Sequence, residues 1–593
     1  MAPRIYTSDL PALPIVSTSI FTRIFAARAP GDIGGFPGSQ SAFVDGQTGI
    51  SLTRAELLNL ALSFGYGLQH HPTLTAFTPR GATVLIFSPN SLAWPVVIFG
   101  CLAAGLRCTT ANSSYTSHEL AHQYSDSGAG LVITAEDGIT RVRAMFQELG
   151  LSRNEADRRT VVMGRDLRWA GGPTIALRPE CRGLVTLSDL LLLGKLENEE
   201  QFEGASAHET VFICYSSGTT GKPKGVETTH QNVTTILDVL RDFFLEAQSG
   251  NNTALGFMPF YHAYGVHGTI PLDFHLLTMV QVSLLILHLP FTIGWSVVIQ
   301  SGFEPSQFCR TIERFKIPFA FIVPPVLVVL ARHPDVDKYD LSSLQYMLCG
   351  AAPVGGRSRP GCQDASSYKA SAWRHLFDHT SVRTDGDHDW NTFSSLQRCR
   401  EEVGGADDEG TVDAEDGVPG ELWVRAKTVM KGYLNNPVAT ASSITPDGWF
   451  KTGDILVKDR DSFFYVVDRK KELIKYKGFQ VAPAELESVL LTHPDIADVA
   501  VIGIESHEQA TELPRAYVVH ARSQEIKTLA QKTKFAQGVA KWMELKVAKH
   551  KHLRGGVEVI DAVPKSAAGK ILRRELRQLA KQEQVDTTTR SKL

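Results

Sequence analysis

The sequence predicts an α/β protein with a large N-terminal domain and a small α+β C-terminal domain, and two patterns carry that expectation. The first is a set of short Val/Ile-rich runs, at 83–87, 131–134, 211–214 and 319–323, that end in Gly or Pro and precede helical patterns. Continuous apolar runs of this kind suit buried parallel strands, and their alternation with helices gives an α/β order. The second is a change of texture at Asp468. There a basic stretch, Asp468-Arg469-Lys470-Lys471-Glu472-Leu473-Ile474-Lys475, opens a compact α+β pattern. The chain is accordingly divided into 1–468 and 469–593. Residues 136–208 are polar and irregular and read as surface insertions.

With 593 residues, 43% of them hydrophobic and 21% charged, the chain is long enough to bury more than one core. A formal net charge of -3 gives no electrostatic footprint for nucleic acid. The 8 cysteines are scattered, without a CxxC pair or zinc spacing, and the N-terminus lacks the order of a secretion signal. A reducing intracellular compartment is expected. The apolar stretch 274–300 approaches membrane-span length, but His275, Gln281 and His288 interrupt it and Pro290 breaks it, so no transmembrane span is expected. The tripeptide Ser591-Lys592-Leu593 matches the peroxisomal address, which implies the peroxisomal import receptor as a partner.

The strongest chemical signal is Tyr215-Ser216-Ser217-Gly218-Thr219-Thr220-Gly221-Lys222-Pro223-Lys224-Gly225, directly after the strand-like run 211–214. Glycines let a backbone approach an anion, hydroxyls and amides donate to phosphate oxygens, and lysines neutralise charge. A nucleotide phosphate loop is expected. It is not a Walker loop, which needs Gly where Ser216 stands and Ser or Thr where Pro223 stands. A flexible linker would not require two lysines flanking a proline after a buried strand.

Ser216 to Gly225 resembles the signature phosphate loop of the adenylate-forming superfamily, in particular acyl-CoA synthetases of the 4-coumarate:CoA ligase kind. The resemblance covers most of the chain. It implies mixed sheets flanked by helices in the large domain and a mobile small domain. It also implies that Ser216, Ser217, Gly218, Thr219, Thr220, Gly221 and Lys224 hold ATP phosphates. Met258-Pro259-Phe260-Tyr261-His262-Ala263-Tyr264-Gly265 is similar to the family's pocket-lining segment, which makes His262 a catalytic and substrate residue and Tyr264 a substrate residue. A lone His on an apolar segment is usually core, so His262 has meaning mainly through the resemblance. Gly350-Ala351-Ala352-Pro353 is similar to the adenine- and acyl-binding strand end, implying Gly350 and Ala351. Trp449-Phe450-Lys451-Thr452-Gly453-Asp454 offers in Asp454 a carboxylate able to accept from two ribose hydroxyls. By position Arg469 is expected at the ribose and Lys471 at a hinge, with Lys475, Lys477 and Gly478 serving the thioester step and CoA. Pro564-Lys565-Ser566-Ala567-Ala568-Gly569-Lys570-Ile571 resembles the loop of the adenylation lysine, here Lys570. An ammonium there meets charge building on carboxylate, α-phosphate and pyrophosphate.

The implied reaction is carboxylate attack on the ATP α-phosphate, giving acyl-adenylate and pyrophosphate, followed by displacement of AMP by the CoA thiolate. Mg²⁺ is expected on the phosphates, with no protein ligand assigned. The small domain is expected to turn between the steps, presenting Lys570 and then the Lys475 face. From Lys541 onward 13 Lys/Arg stand against 6 Asp/Glu. A solvated helix face is the preferred reading of that excess, with help in holding CoA phosphates as the alternative.

The pattern breaks at 356–410, which is rich in Arg, Asp, His and Ser and lacks both apolar periodicity and the family's Tyr-Gly-x-Thr-Glu motif. Val382 to Trp390 can be encoded GTA-CGG-ACT-GAC-GGA-GAC-CAC-GAC-TGG. Without the first base this spells Tyr-Gly-Leu-Thr-Glu-Thr-Thr-Thr, so the segment is read as out of frame and the chain as written is expected to have little or no activity. Resemblance resumes by about Val412, through Asp416-Gly417-Val418-Pro419-Gly420-Glu421-Leu422-Trp423-Val424. Residues 278–296 also make the span from His262 to Phe303 longer than usual, as a genuine insertion or a retained intron would. Three readings stand beside the free-acid ligase: an adenylating enzyme that loads a carrier protein, a luciferase-like oxidation, and a catalytically impaired nucleotide-binding relic. The acid is read as aromatic, medium-chain or one of secondary metabolism.

Overall fold

The computed structural model describes residues 5–6, 16–216, 223–246, 252–261, 284–349 (without 324–325, 328 and 331–332), 398–402, 417–458, 464–506 (without 478), 509, 511–565 and 571–590. The expected buried strands form, and they sit in two sheets. An eight-stranded sheet runs Val185–Thr186, Thr160–Met163, Ala129–Ala135, Thr83–Phe87, Arg107–Ala111, Thr210–Ser216, Lys224–Thr229 and Gly432–Tyr433. Its pairs are parallel up to Thr210–Ser216 and antiparallel beyond, so the sheet is mixed. In a six-stranded sheet Tyr346–Cys349, Phe319–Ile322, Thr253–Gly256, Ser296–Ile299 and Ser41–Asp45 are parallel, and Ser51–Thr53 closes the edge antiparallel.

The helix Ala93–Ala103 is buried at every position, as a helix apolar all round must be. Trp94 meets Phe260 edge-on at 5.8 Å, and Phe99 meets His288 at 5.1 Å, tying this helix to the second sheet's connections. Trp94, Phe99 and Phe260 belong to one continuous core.

Residues 136–208 are more than surface insertions. They supply the helices Ile139–Glu148 and Arg153–Arg158 and two strands of the eight-stranded sheet. Val142, Met145 and Phe146 are buried at helical spacing, and Thr160–Met163 is buried throughout. The polar surroundings hide this short apolar run. Residues 284–296 likewise belong to the core. Ile286, Leu287, Leu289 and Phe291 are buried, and Ser296–Ile299 lies between two parallel neighbours. The part of the presumed extra length at 278–283 lies outside the described residues.

A five-stranded antiparallel sheet contains Arg398–Glu402, Gly420–Arg425, Phe450–Lys458 and Phe464–Arg469. Arg398–Glu402 falls inside the aberrant stretch 356–410, the rest of which lies outside the described residues, so that stretch does hold one strand. Beyond Arg469 come the hairpin Ile474–Tyr476 with Phe479–Val481 and the sheet of Ile496–Ser506, Thr511–His520 and Val557–Val559. Helices Pro483–Leu490, Leu529–Glu544 and Arg573–Arg590 accompany them. Their apolar side chains form cores separate from the large one. Among the described residues no helix is long and apolar enough to cross a membrane.

Candidate active site

The segment expected to bind phosphate is flanked by two paired strands. Thr210–Ser216 pairs antiparallel with Lys224–Thr229, and Ser216 stands opposite Lys224. Thr210–Ser216 also lies parallel to Arg107–Ala111, so its carboxyl end is where an α/β sheet presents a ligand crevice. Residues 217–222, which include Ser217, Gly218, Thr219, Thr220 and Gly221, lie outside the described residues.

Both ends of that segment are anchored by the helix Ser117–Asp126. The Tyr215 hydroxyl donates to Asp126 at 2.6 Å, and burial together with that carboxylate pushes the phenol well above its usual range. His122 Nε2 lies 3.1 Å from the Pro223 carbonyl, where it acts as donor. On the far side, the Leu434 amide donates to the Gly225 carbonyl at 2.8 Å and the Lys224 ammonium sits 5.4 Å from the Tyr433 ring. Nothing in the sequence pattern points to Asp126 or His122, which lie 89 and 101 residues upstream of their partners.

The pocket segment is placed from the neighbouring sheet. Asn90 donates to the Met258 carbonyl at 2.8 Å and accepts from the Phe260 amide at 2.9 Å, while Thr110 donates to the Tyr261 carbonyl at 3.0 Å. Burial pushes the Tyr261 phenol up to about 12. His262, Tyr264, Gly350 and Ala351 lie outside the described residues.

Asp454 is buried, 2% exposed, and stands opposite Arg469 in the ladder. Its turn is held by Glu421. One Glu421 oxygen accepts from the Gly453 amide at 3.1 Å, the other from the Lys470 ammonium at 3.1 Å, and the Lys470 amide returns to the Gly453 carbonyl at 2.8 Å. Gly453 has φ +73°, left-handed backbone that glycine adopts without strain. Lys471 follows in an exposed turn.

Strand alternation in Ile474–Tyr476 buries Ile474 and Tyr476 and exposes Lys475, with Lys477 exposed after it. The backbone beneath is fixed. The Lys475 amide donates to Glu512 at 2.7 Å, the Lys477 amide to Thr511 at 2.7 Å, and the Thr511 hydroxyl to the Lys475 carbonyl at 2.8 Å. Lys477 is held at φ +45°, and Arg554 covers the Tyr476 ring at 4.7 Å. Gly478 and Lys570 lie outside the described residues.

Five described cysteines, Cys101, Cys108, Cys181, Cys214 and Cys309, are buried and not disulfide-bonded. Among the described residues no group of three or more His, Cys, Asp or Glu side chains could hold a metal ion.

A strand ending at the carboxyl edge of a mixed sheet, followed in sequence by glycines and hydroxyl residues, is where α/β enzymes bind nucleotides. Residues 33–358 match the family model described as AMP-binding enzyme, and 485–570 match its C-terminal domain. The chain belongs to the AMP-binding enzyme family. It is 31% identical over 550 residues to a peroxisomal OPC-8:0-CoA ligase of Arabidopsis thaliana, covering 91% of this chain and 90% of the relative. It is 32% identical over 555 residues to a 4-coumarate-CoA ligase of Narcissus pseudonarcissus, covering 90% of each. Among solved structures, an anthranilate CoA ligase with anthranoyl-AMP superposes with TM-score 0.70 at 20% identity, over 97% of this chain and 99% of that one. ATP-bound MatB from Rhodopseudomonas palustris gives 0.69 at 20% identity, over 95% and 98%. At such identity these two speak for the fold.

Proposed function

We propose that this family member is an ATP-dependent carboxylic acid:CoA ligase, forming an acyl-adenylate and then an acyl-CoA thioester. The observation that carries the reading is the hairpin that sets Ser216 opposite Lys224 around the Gly/Ser/Thr segment, in a chain that also carries the family's C-terminal domain. In this reading the amides and hydroxyls of 216–221 and Lys224 bind phosphate, Gly350 and Ala351 border the adenine, and Asp454 and Arg469 hold the ribose. Lys570 stabilises charge in the adenylation step, His262, Tyr264 and Ala351 line the acid, and Lys475, Lys477 and Gly478 serve the CoA step. Mg²⁺ enters as part of the MgATP substrate. The division into 1–468 and 469–593 is refined by the strand Phe464–Arg469, which keeps Arg469 with the large domain's sheet and moves the boundary to the proposed pivot at Lys471; the separate core of 474–559 supports a small domain beyond it.

The acid is an aromatic one of the 4-coumarate kind, or a medium-chain or secondary-metabolite acid. Support comes from the names of the relatives, which include 4-coumarate and OPC-8:0 ligases. Peroxisomal residence is supported by Ser591-Lys592-Leu593 and by one relative named peroxisomal. The stretch 356–410 is read out of frame, and the end of the first family match at residue 358 supports this.

The test is pyrophosphate release with MgATP, CoA and a panel of such acids, on the chain as written and on a frame-restored chain. Release and thioester formation in the restored chain alone are expected. Thioester on a carrier protein but not on free CoA would favour the carrier-loading reading, and no release from either chain would overturn the ligase.

A further inference from the structure

The loop that carries Lys570 has a described stem. Lys565 and Ile571 form an antiparallel bridge, and the Leu572 amide donates to the Pro564 carbonyl at 2.9 Å, so the residues flanking that loop are held together. One leg is pinned by Lys565, whose ammonium lies 2.6 Å from Asp498. The other leg leads into the helix Arg573–Arg590 through Arg573.

Arg573 sits at the start of that helix, the end where the macrodipole disfavours a cation. Two carboxylates offset this. Arg573 Nη1 donates to Glu472 at 2.7 Å, and Nη2 donates to both oxygens of Glu487 at 2.6 and 2.8 Å. Its Nε donates to the Val501 carbonyl at 3.2 Å, while the Val501 amide donates to Glu487 at 2.8 Å. Ile496–Ser506 is an edge strand, so guanidinium and carboxylate together satisfy backbone groups that an edge leaves open. All three charged side chains are only 11–12% exposed. A forked, planar cation is the one side chain able to meet two carboxylates and a carbonyl at once.

Glu472 is the residue after Lys471. One partly buried guanidinium therefore joins the segment that follows the proposed pivot to the stem of the loop that follows the strands. We infer that Arg573 is a positioning residue for adenylation: it makes the Lys570 loop turn with the hinge as one piece. The Lys475 face is secured separately, through Glu512 and Thr511. Loss of Arg573 should therefore affect the two half-reactions unequally. The inference rests on the ligase reading.

The test uses Arg573→Met, Arg573→Lys and Glu472→Gln in the full frame-restored chain, and follows two reactions. One is acyl-adenylate formation from acid and MgATP; the other is thioester formation from supplied acyl-adenylate and CoA. Arg573→Met should slow the first by about a hundredfold, the scale of a misplaced catalytic group, and the second by less than about threefold. Arg573→Lys should recover part of the loss, since one ammonium replaces part of the fork. Glu472→Gln leaves the Arg573–Glu487 pair intact and should give the same imbalance, so the test stands even if Arg573→Met does not fold. Equal losses in both half-reactions, or no loss in either, would overturn the inference. A frame-restored parent that makes no adenylate would instead sink the ligase reading. In that case amide exchange across 470–474 and 571–576 of the full chain decides the clamp alone: faster by about tenfold in Glu472→Gln if it exists, unchanged if it does not.

Discussion

Replacing Glu421 by Gln should weaken ATP binding without touching the nucleotide. Glu421 is 6% exposed and spends one oxygen on the Gly453 amide and the other on Lys470. Gln keeps the shape but offers one acceptor and one donor, so either the amide or the ammonium faces a donor. The hydrogen bond to a charged acceptor is worth about 2 kcal/mol when its partner stays buried. The Lys470 side chain is 36% exposed and regains water, so its share is below about 1 kcal/mol. If about 2 kcal/mol falls on the geometry of Asp454, the KM for ATP rises about thirtyfold. The assay is adenylate formation against ATP concentration in the frame-restored chain, with the thermal midpoint read in parallel. A KM for ATP within about twofold of the parent, whatever the midpoint does, would refute the link from Glu421 to Asp454.

Two further outcomes follow from buried groups near the hairpin. Burial pushes His230 down to about 3, with Arg80 acting in the same direction, and its Nδ1 accepts the Ile20 amide at 3.2 Å. The unfolded chain takes up this proton near 6.5 and the native chain only near 3, so stability is full above about 6.5 and falls as pH drops through that window. The slope approaches ~1.4 kcal/mol per pH unit. His493, also lowered by burial, adds to it with the same sign. The urea midpoint should fall between pH 7 and 5, and less steeply in His230→Gln; an identical slope in the variant would exclude His230 as the source. Tyr215→Phe removes the bond to Asp126 and should cost about 1–2 kcal/mol in the urea midpoint and raise the KM for ATP, whereas a change in stability alone would deny Tyr215 a part in seating the phosphate segment.

Much of the architecture was legible because burial imposes it on local sequence. The runs at 83–87 and 319–323 are strands because a parallel strand covered on both faces must be apolar throughout, and that leaves a continuous mark. The run at 160–163 leaves the same mark but is short and flanked by arginines, so its surroundings outvote it. In the site, glycines and lysines grouped within ten residues announce phosphate chemistry, whereas the groups that hold them in place come from elsewhere in the chain. His122 lies 101 residues from Pro223, Glu512 lies 37 from Lys475, and Arg573 lies 101 from Glu472. A contact between residues so far apart has no signature in one sequence, because any charged side chain on any helix face looks solvated until its partner is known.

The strand Phe464–Arg469 carries that reasoning to the hinge. Texture changes at Asp468, yet the strand continues through it and pairs Asp468 with Ile455 and Arg469 with Asp454. Arg469 therefore stays with the sheet that presents Asp454, and Lys470 stays with it through Glu421. Glu472 is held the other way, by Arg573. Lys471 is exposed and lies between two clamps of opposite allegiance, which supports the proposal of a pivot at that residue. A pivot one residue earlier would break the Glu421–Lys470 pair in each turnover, and one residue later the Arg573–Glu472 pair, each a partly buried ion pair whose rupture would slow the turn.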